Sequence, residues 1–139
     1  MAKAKEKGIM LLSSTSVIIG TASNGTKLDL YTVPSGKDCI VDFVILRNPS
    51  ATLSGCTDVN FGTGAGTTGT WLDNETGVFE LNATTEYMKL IADDSTSNDL
   101  PIIDGDDTTA ANREFGIYVV AGATGAAYTV TIDVFGYLF

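Results

Sequence analysis

Short segments of alternating apolar and polar residues, separated by turn signals, follow one another along this chain. The clearest pair, residues 28–33 and 39–46, is rich in β-branched and aromatic residues and flanks Pro-Ser-Gly-Lys at 34–37. Proline fixes φ and glycine accepts the positive φ of a tight turn, whereas the flanking residues favour a pleated strand over a helix. This stretch therefore predicts a β-hairpin.

The same pattern of short apolar runs and turn signals continues along the rest of the chain and predicts no helix. Strands are expected at 9–12 and 17–19 (one interrupted strand or two short ones), 58–61, 70–72, 78–81, 87–92, 100–103, 115–120 and 127–139. Asn24-Gly25 is the strongest short hairpin signal. Such spacing is typical of a sandwich or barrel. We predict an all-β, single-domain β-sandwich over residues 9–139, jelly-roll-like with about eight or nine strands. An immunoglobulin-type sandwich is the closest alternative.

The last predicted strand changes character along its length. Residues 128–134 alternate between apolar and polar, so one side of the strand is expected to face the core. From there on, the opposite side becomes aromatic, with Phe135, Tyr137 and Phe139. These three side chains either cover the edge of a second sheet or form a subunit interface, since exposed apolar patches usually have a partner.

The charge of the chain narrows the range of partners. Its 17 acidic and 8 basic residues give a net charge of −9, and three of the basic residues, Lys3, Lys5 and Lys7, precede the first strand. Nucleic-acid-binding proteins usually carry a basic surface, so we expect no nucleic-acid partner. We expect no membrane partner either, because every apolar run is far shorter than a bilayer requires. Residues 1–8 form an N-terminal arm that either frays or docks on a neighbouring subunit.

The residues that carry catalytic chemistry are sparse. The chain has no histidine, which excludes Ser-His-Asp and Cys-His catalysis. Cys39 and Cys56 are interpreted as buried apolar residues, with a disulfide between them as the alternative. We expect no metal or cofactor: two cysteines with carboxylates match zinc ligand sets poorly.

Two loops resemble ligand-binding loops only in part. The glycines at 62–69 lack the Gly-Lys-Ser/Thr ending of a phosphate loop. Asp104-Gly105-Asp106-Asp107 begins like a calcium loop, but Thr109 and Phe115 stand where such a loop needs glycine and glutamate. We interpret the acidic stretch 93–107 as a solvated loop, with a bound cation as the alternative.

Three aromatic residues raise the question of sugar binding. Trp71, Tyr87 and Tyr118 are candidates for stacking on sugars, although a single tryptophan in a sandwich is more often part of the core. A carbohydrate-binding module is therefore one hypothesis for this chain.

Two segments of this chain resemble virion proteins of tailed phages. In those proteins a Tyr-Thr-Val-Pro-x-Gly-Lys turn leads into an apolar strand that ends near asparagine, as residues 30–37 and 40–48 do here. Residues 126–137 are similar to the last strand of such domains. The resemblance covers about thirty of the 139 residues.

The resemblance implies a non-enzymatic structural part of a phage particle, and the rival hypothesis is a tail, fibre or carbohydrate-binding adhesion module. The small size and acidic charge suit a capsid decoration or auxiliary protein that is assembled in the host cytoplasm and located in the virion. It implies a homo-oligomer, a trimer at threefold positions, in contact with the major capsid protein or other virion subunits. In that setting Lys3, Lys5, Lys7, Phe135, Tyr137 and Phe139 are the expected contact residues. Fold alone does not fix function, so these remain expectations.

Overall fold

The computed structural model describes residues 8–65, 70–93 and 102–139. The expected contact residues Lys3, Lys5 and Lys7 lie outside the described residues. Nine strands are present in these ranges: β1 (Met10–Ile18), β2 (Thr26–Thr32), β3 (Asp38–Arg47), β4 (Asp58–Gly62), β5 (Leu72–Glu75), β6 (Tyr87–Ile91), β7 (Ile103–Asp104), β8 (Glu114–Ala121) and β9 (Thr129–Leu138). No helix in the described part is long and apolar enough to cross a membrane.

The strands form two antiparallel sheets that pack against each other as a β-sandwich. Sheet I has the order β1-β9-β3-β6, and β7 pairs with another part of β3; sheet II has the order β2-β8-β4-β5. If β7 is set aside, β1 pairs with β9, β2 with β8, β3 with β6 and β4 with β5. The strands thus pair from the two ends of the chain inwards. This nested pairing is the jelly-roll connectivity, so the fold prediction is confirmed.

Alternation of apolar residues places one side of each sheet in the core. Val130, Ile132 and Val134 of β9 are buried, and β8 buries every second residue in the same way. The alternation in β3 is interrupted, because Val41 and Val44 both face inward although they are three residues apart. The register against β9 shifts between Val41 and Phe43, which marks a β-bulge. A one-residue bulge reverses the face to which each later side chain of the strand points, compared with a regular alternation.

The predicted hairpin at residues 34–37 is wrong. Both of its strands exist, but β2 belongs to sheet II and β3 to sheet I, so they do not pair. The turn itself forms, since the N–H of Lys37 donates to the carbonyl of Pro34 (3.2 Å) and Gly36 has a φ of 76°. It carries the chain from one sheet to the other.

Four other local expectations differ from the structure or extend beyond its described residues. The turn at Asn24-Gly25 joins β1 to β2 across the two sheets and is not a hairpin. Residues Val78–Glu80 form a 3₁₀ turn and not a strand, and the strand expected at 70–72 lies instead at Leu72–Glu75, as β5. The predicted strand at 100–103 begins outside the described residues, and its described end forms the two-residue β7.

Candidate interaction surface

A row of apolar side chains crosses the outer face of sheet I, the face directed away from the core. Leu11, Phe135, Phe43 and Ile91 lie opposite one another in successive strands, β1, β9, β3 and β6. We call these four residues the apolar row. Leu11 is 54% exposed and Ile91 63% exposed, whereas the two phenylalanines between them are half-buried. Outward-facing positions of a sandwich are commonly polar, so this row marks the face as unusual.

The centre of the apolar row is packed through aromatic contacts. The rings of Phe43 and Phe135 stack with centroids 4.7 Å apart and an interplanar angle of 16°. The ammonium group of Lys89 lies 4.4 Å from the centroid of the Phe43 ring, a cation–π contact. The row is therefore a preformed surface with one basic residue at its side.

An ion pair between the partly exposed Arg47 and the largely buried Asp133 lies beside the apolar row on the same face. The Nε of Arg47 donates to Asp133 at 2.7 Å, and the hydroxyl of Ser14 donates to the same carboxylate at 2.5 Å. Burial raises the pKa of Asp133, but the hydrogen bonds from Arg47 and Ser14 outweigh it and hold the pKa below its ordinary value. Asp133 of β9 therefore links Ser14 of β1 to Arg47 of β3 through hydrogen bonds.

Asp133→Asn is expected to lower the free energy of unfolding by about 1–2 kcal/mol at neutral pH, since it removes a charge-assisted pair. The pKa of Asp133 is depressed in the folded protein, so its contribution is complete above the unfolded pKa and is lost as pH falls through the folded value. Urea unfolding at pH 7 and below about pH 3 measures this, and the gap between variant and wild type should close in acid.

Asp29→Asn is the matched control for the ion pair. Asp29 lies 3.5 Å from Lys27, but its side chain is more than half exposed. Exposed ion pairs contribute little, so this variant should unfold like the wild type. A gap for Asp133→Asn that stayed constant with pH would contradict the ionic origin of the effect.

The structure places the three C-terminal aromatic residues on the outer face or at its end. Phe135 belongs to the apolar row, and Tyr137, half-buried, lies opposite Ile40 in β3. Phe139 follows β9, and its main chain pairs with Asp38. Phe135 and Tyr137 lie on the face of β9 that is directed away from sheet II, so they do not cover the edge of that sheet, and the subunit interface stays a prediction.

The aromatic residues considered for sugar binding do not converge. Trp71 is buried in the core, and its Nε1 donates to the carbonyl of Val41 at 2.9 Å. Tyr87 is exposed on β6 of sheet I, while Tyr118 lies on β8 of sheet II. The core interpretation of Trp71 is thus confirmed, and these three residues form no common platform.

Both cysteines are buried, unpaired thiols. The disulfide alternative is therefore wrong for this structure. Burial raises the pKa of Cys39 and of Cys56 to about 11. Because the thiolate is the nucleophilic form, such thiols are inert near neutral pH.

The described part of the acidic stretch stabilises turns with its carboxylates. Asp106 accepts hydrogen bonds from the hydroxyl of Ser35 (2.6 Å) and the N–H of Gly36 (2.9 Å), which lower its pKa. Asp104 and Asp107 each accept a backbone N–H two residues further on. Among the described residues, no three acidic, cysteine or histidine side chains are grouped to hold a metal ion. Asp106 thus fastens the turn between β2 and β3, whereas Asp104 and Asp107 stabilise the loop that follows β7.

Sequence reasoning missed three of the four residues in the apolar row. Leu11 and Ile91 look like ordinary strand residues, and a regular alternation in β3 would have turned Phe43 towards the core with Val41. Only the bulge turns its side chain outward. The signal that was available is the number of apolar residues in β3, which exceeds what one buried side can hold.

The fold and the surface together define a class: a jelly-roll β-sandwich with a preformed apolar face. Within that class no known family is indicated, since no family model matches the chain and no curated protein matches it significantly.

Proposed function

We propose that this chain is a non-enzymatic structural component of a phage particle, a capsid decoration or auxiliary protein that stabilises the head. The observation that carries the proposal is the apolar row on the open face of sheet I. Leu11 and Ile91 at its ends are largely exposed, and a partner would remove them from water. The resemblance of residues 30–37, 40–48 and 126–137 to tailed-phage virion proteins supplies the kind of partner.

Neighbouring groups on the same face support a protein partner. An interface core of aromatic and aliphatic residues with charged groups at its margin is the usual arrangement. Here Phe43 and Phe135 form the centre, with Lys89 and Arg47 beside them. Side chains that are already ordered lose little conformational entropy on binding, which favours association.

The mechanism proposed is mechanical. Copies of the protein lie on the outside of the shell and contact the major capsid protein through the apolar row, with Lys3, Lys5, Lys7, Tyr137 and Phe139 as further contacts. Each contact is modest, but contacts repeated by symmetry add avidity and hold adjacent shell subunits together.

Phe135→Asp is expected to weaken binding to empty, expanded shells assembled without this chain by about 30-fold or more, the cost of losing a central aromatic contact. Co-sedimentation gives affinity and stoichiometry, and calorimetry gives the melting temperature of the shells, which the wild type should raise. Ile91→Asp changes a more exposed position of the same row and should act in the same direction with less effect on folding.

Val120→Asp is the matched control, because Val120 is an exposed apolar residue of β8 in sheet II. It should bind shells like the wild type. Equal losses for Val120→Asp and Phe135→Asp would contradict a role for the apolar row. If the wild type ignores shells but binds sugars on a glycan array, the adhesion module replaces the decoration protein.

A further inference from the structure

β1 differs from every other edge strand that the structure describes. Edge strands leave backbone N–H and C=O groups unpaired, and proteins protect them with charges, proline or short length. The other edges carry charges: Lys27 and Asp29 in β2, Asp73 and Glu75 in β5, Lys89 in β6, and Asp104 in β7. β1 is nine residues long, and no charged residue or proline occurs between Lys7 and Lys27.

The side chains of β1 have a self-complementary order. Met10 and Leu11 at one end and Ile18 at the other are exposed hydrophobic residues, and residues 13–16 between them are all serine or threonine. The order of an apolar segment, a polar segment and a second apolar segment is the same in both directions along β1. In an antiparallel pair of two such strands, apolar ends lie beside apolar ends and hydroxyls beside hydroxyls, which are favourable cross-strand neighbours.

The backbone of β1 has donors directed to the open side. The N–H of Ile19 donates to the carbonyl of Tyr128 at 2.8 Å, towards β9. Because backbone groups alternate in direction along an antiparallel strand, the N–H groups of Ser16 and Ile18 point the opposite way. The carbonyl of Ile18 points to the same open side but is already occupied, because the hydroxyl of Ser23 donates to it at 2.6 Å, so the free edge groups of Ile18 are limited to its N–H.

We propose that two copies of this chain pair through their β1 edges, antiparallel and about a twofold axis, so that their two sheets I become continuous. The occupant is a second copy because the pattern of β1 complements itself. A chain with a net charge of −9 repels its own copies over most of its surface, and the uncharged edge is where they meet at least cost. A twofold contact joins the β1 edge of one copy to the β1 edge of the other, so the assembly ends at two copies. A head-to-tail contact would instead continue from copy to copy.

This proposal needs no shell and stands apart from the proposed function. It also differs from the trimer that the resemblance implies, and the mass of the purified protein separates the two. Sedimentation equilibrium across a concentration series should give twice the 14.6 kDa of one chain. Hydrogen exchange should show the amides of Ser16 and Ile18 protected in the pair and unprotected on dilution.

Ser16→Pro removes a donor that β1 does not use towards β9, and it should weaken pairing by about tenfold or more. Ser16→Ala keeps the N–H and should pair like the wild type. Near-ultraviolet circular dichroism of the buried Trp71 reports whether each variant is folded. If Ser16→Pro fails to fold, exchange in the wild type decides the matter alone.

Three results would overturn the pairing. These are a single-copy or three-copy mass over the whole concentration series, fast exchange at Ser16 and Ile18 in concentrated wild type, and a folded Ser16→Pro variant that still pairs normally.

Discussion

Replacing Trp71 with alanine is expected to lower the free energy of unfolding by about 3–5 kcal/mol, the cost of a large cavity in a packed core. Trp71 is 3% exposed, and its ring meets Phe115 edge-on with centroids 5.5 Å apart. Its indole N–H donates to Val41 of sheet I, although Trp71 directly precedes β5 of sheet II. One side chain thus joins the two sheets by both packing and a hydrogen bond.

Urea unfolding followed by far-ultraviolet circular dichroism measures this loss. Trp71→Phe keeps most of the ring volume and removes the donor, so it should cost about 1–2 kcal/mol and separate the hydrogen bond from the packing. Tyr87→Ala removes an aromatic ring that is 73% exposed and should change stability by less than about 0.5 kcal/mol. Similar losses for Trp71→Ala and Tyr87→Ala would contradict the place of Trp71 in the core.

Gly20→Ala is expected to destabilise the fold by about 3 kcal/mol through steric overlap. Gly20 lies where the chain leaves β1, and it forms a parallel bridge with Ala123. A methyl group there would overlap the carbonyl oxygens of Gly125 and Ala126. Both are backbone atoms, so no side-chain rotation relieves the overlap.

Thermal unfolding of Gly20→Ala beside Gly8→Ala tests this expectation. Gly8 is exposed, and apart from its own chain neighbours no atom of the described residues lies within 4 Å of where its Cβ would be. Gly8→Ala should melt like the wild type, while Gly20→Ala should melt well below it. Equal melting temperatures would show that the connection after β1 can move aside.

The positions of most strands could be predicted from the sequence, but their partners could not. Alternation and β-branched residues are local signals, whereas pairing depends on distant segments. The turn at Pro34 and Gly36 illustrates the difference. Its residues fit a hairpin, yet Asp106, seventy residues further along the chain, binds the Gly36 N–H at 2.9 Å and fastens a crossing between sheets.

Only part of the candidate surface could be predicted from the sequence. Alternation in the last strand identified Phe135 and Tyr137 as residues away from the core. The other members of the apolar row depend on strand order and on the bulge between Val41 and Phe43. A single extra residue in β3 reverses the side chains that follow it, and nothing local in the sequence marks that position.

The nested strand order also governs when this domain can fold during its synthesis. β9 lies between β1 and β3, so sheet I has no continuous hydrogen-bonded core until β9 has left the ribosome. Pairing strands this far apart in the chain is slow, because the intervening segment must be ordered first. Nascent chains should therefore stay unfolded and sensitive to proteases until β9 has emerged from the ribosome, even though β1 to β8 have been synthesised by then.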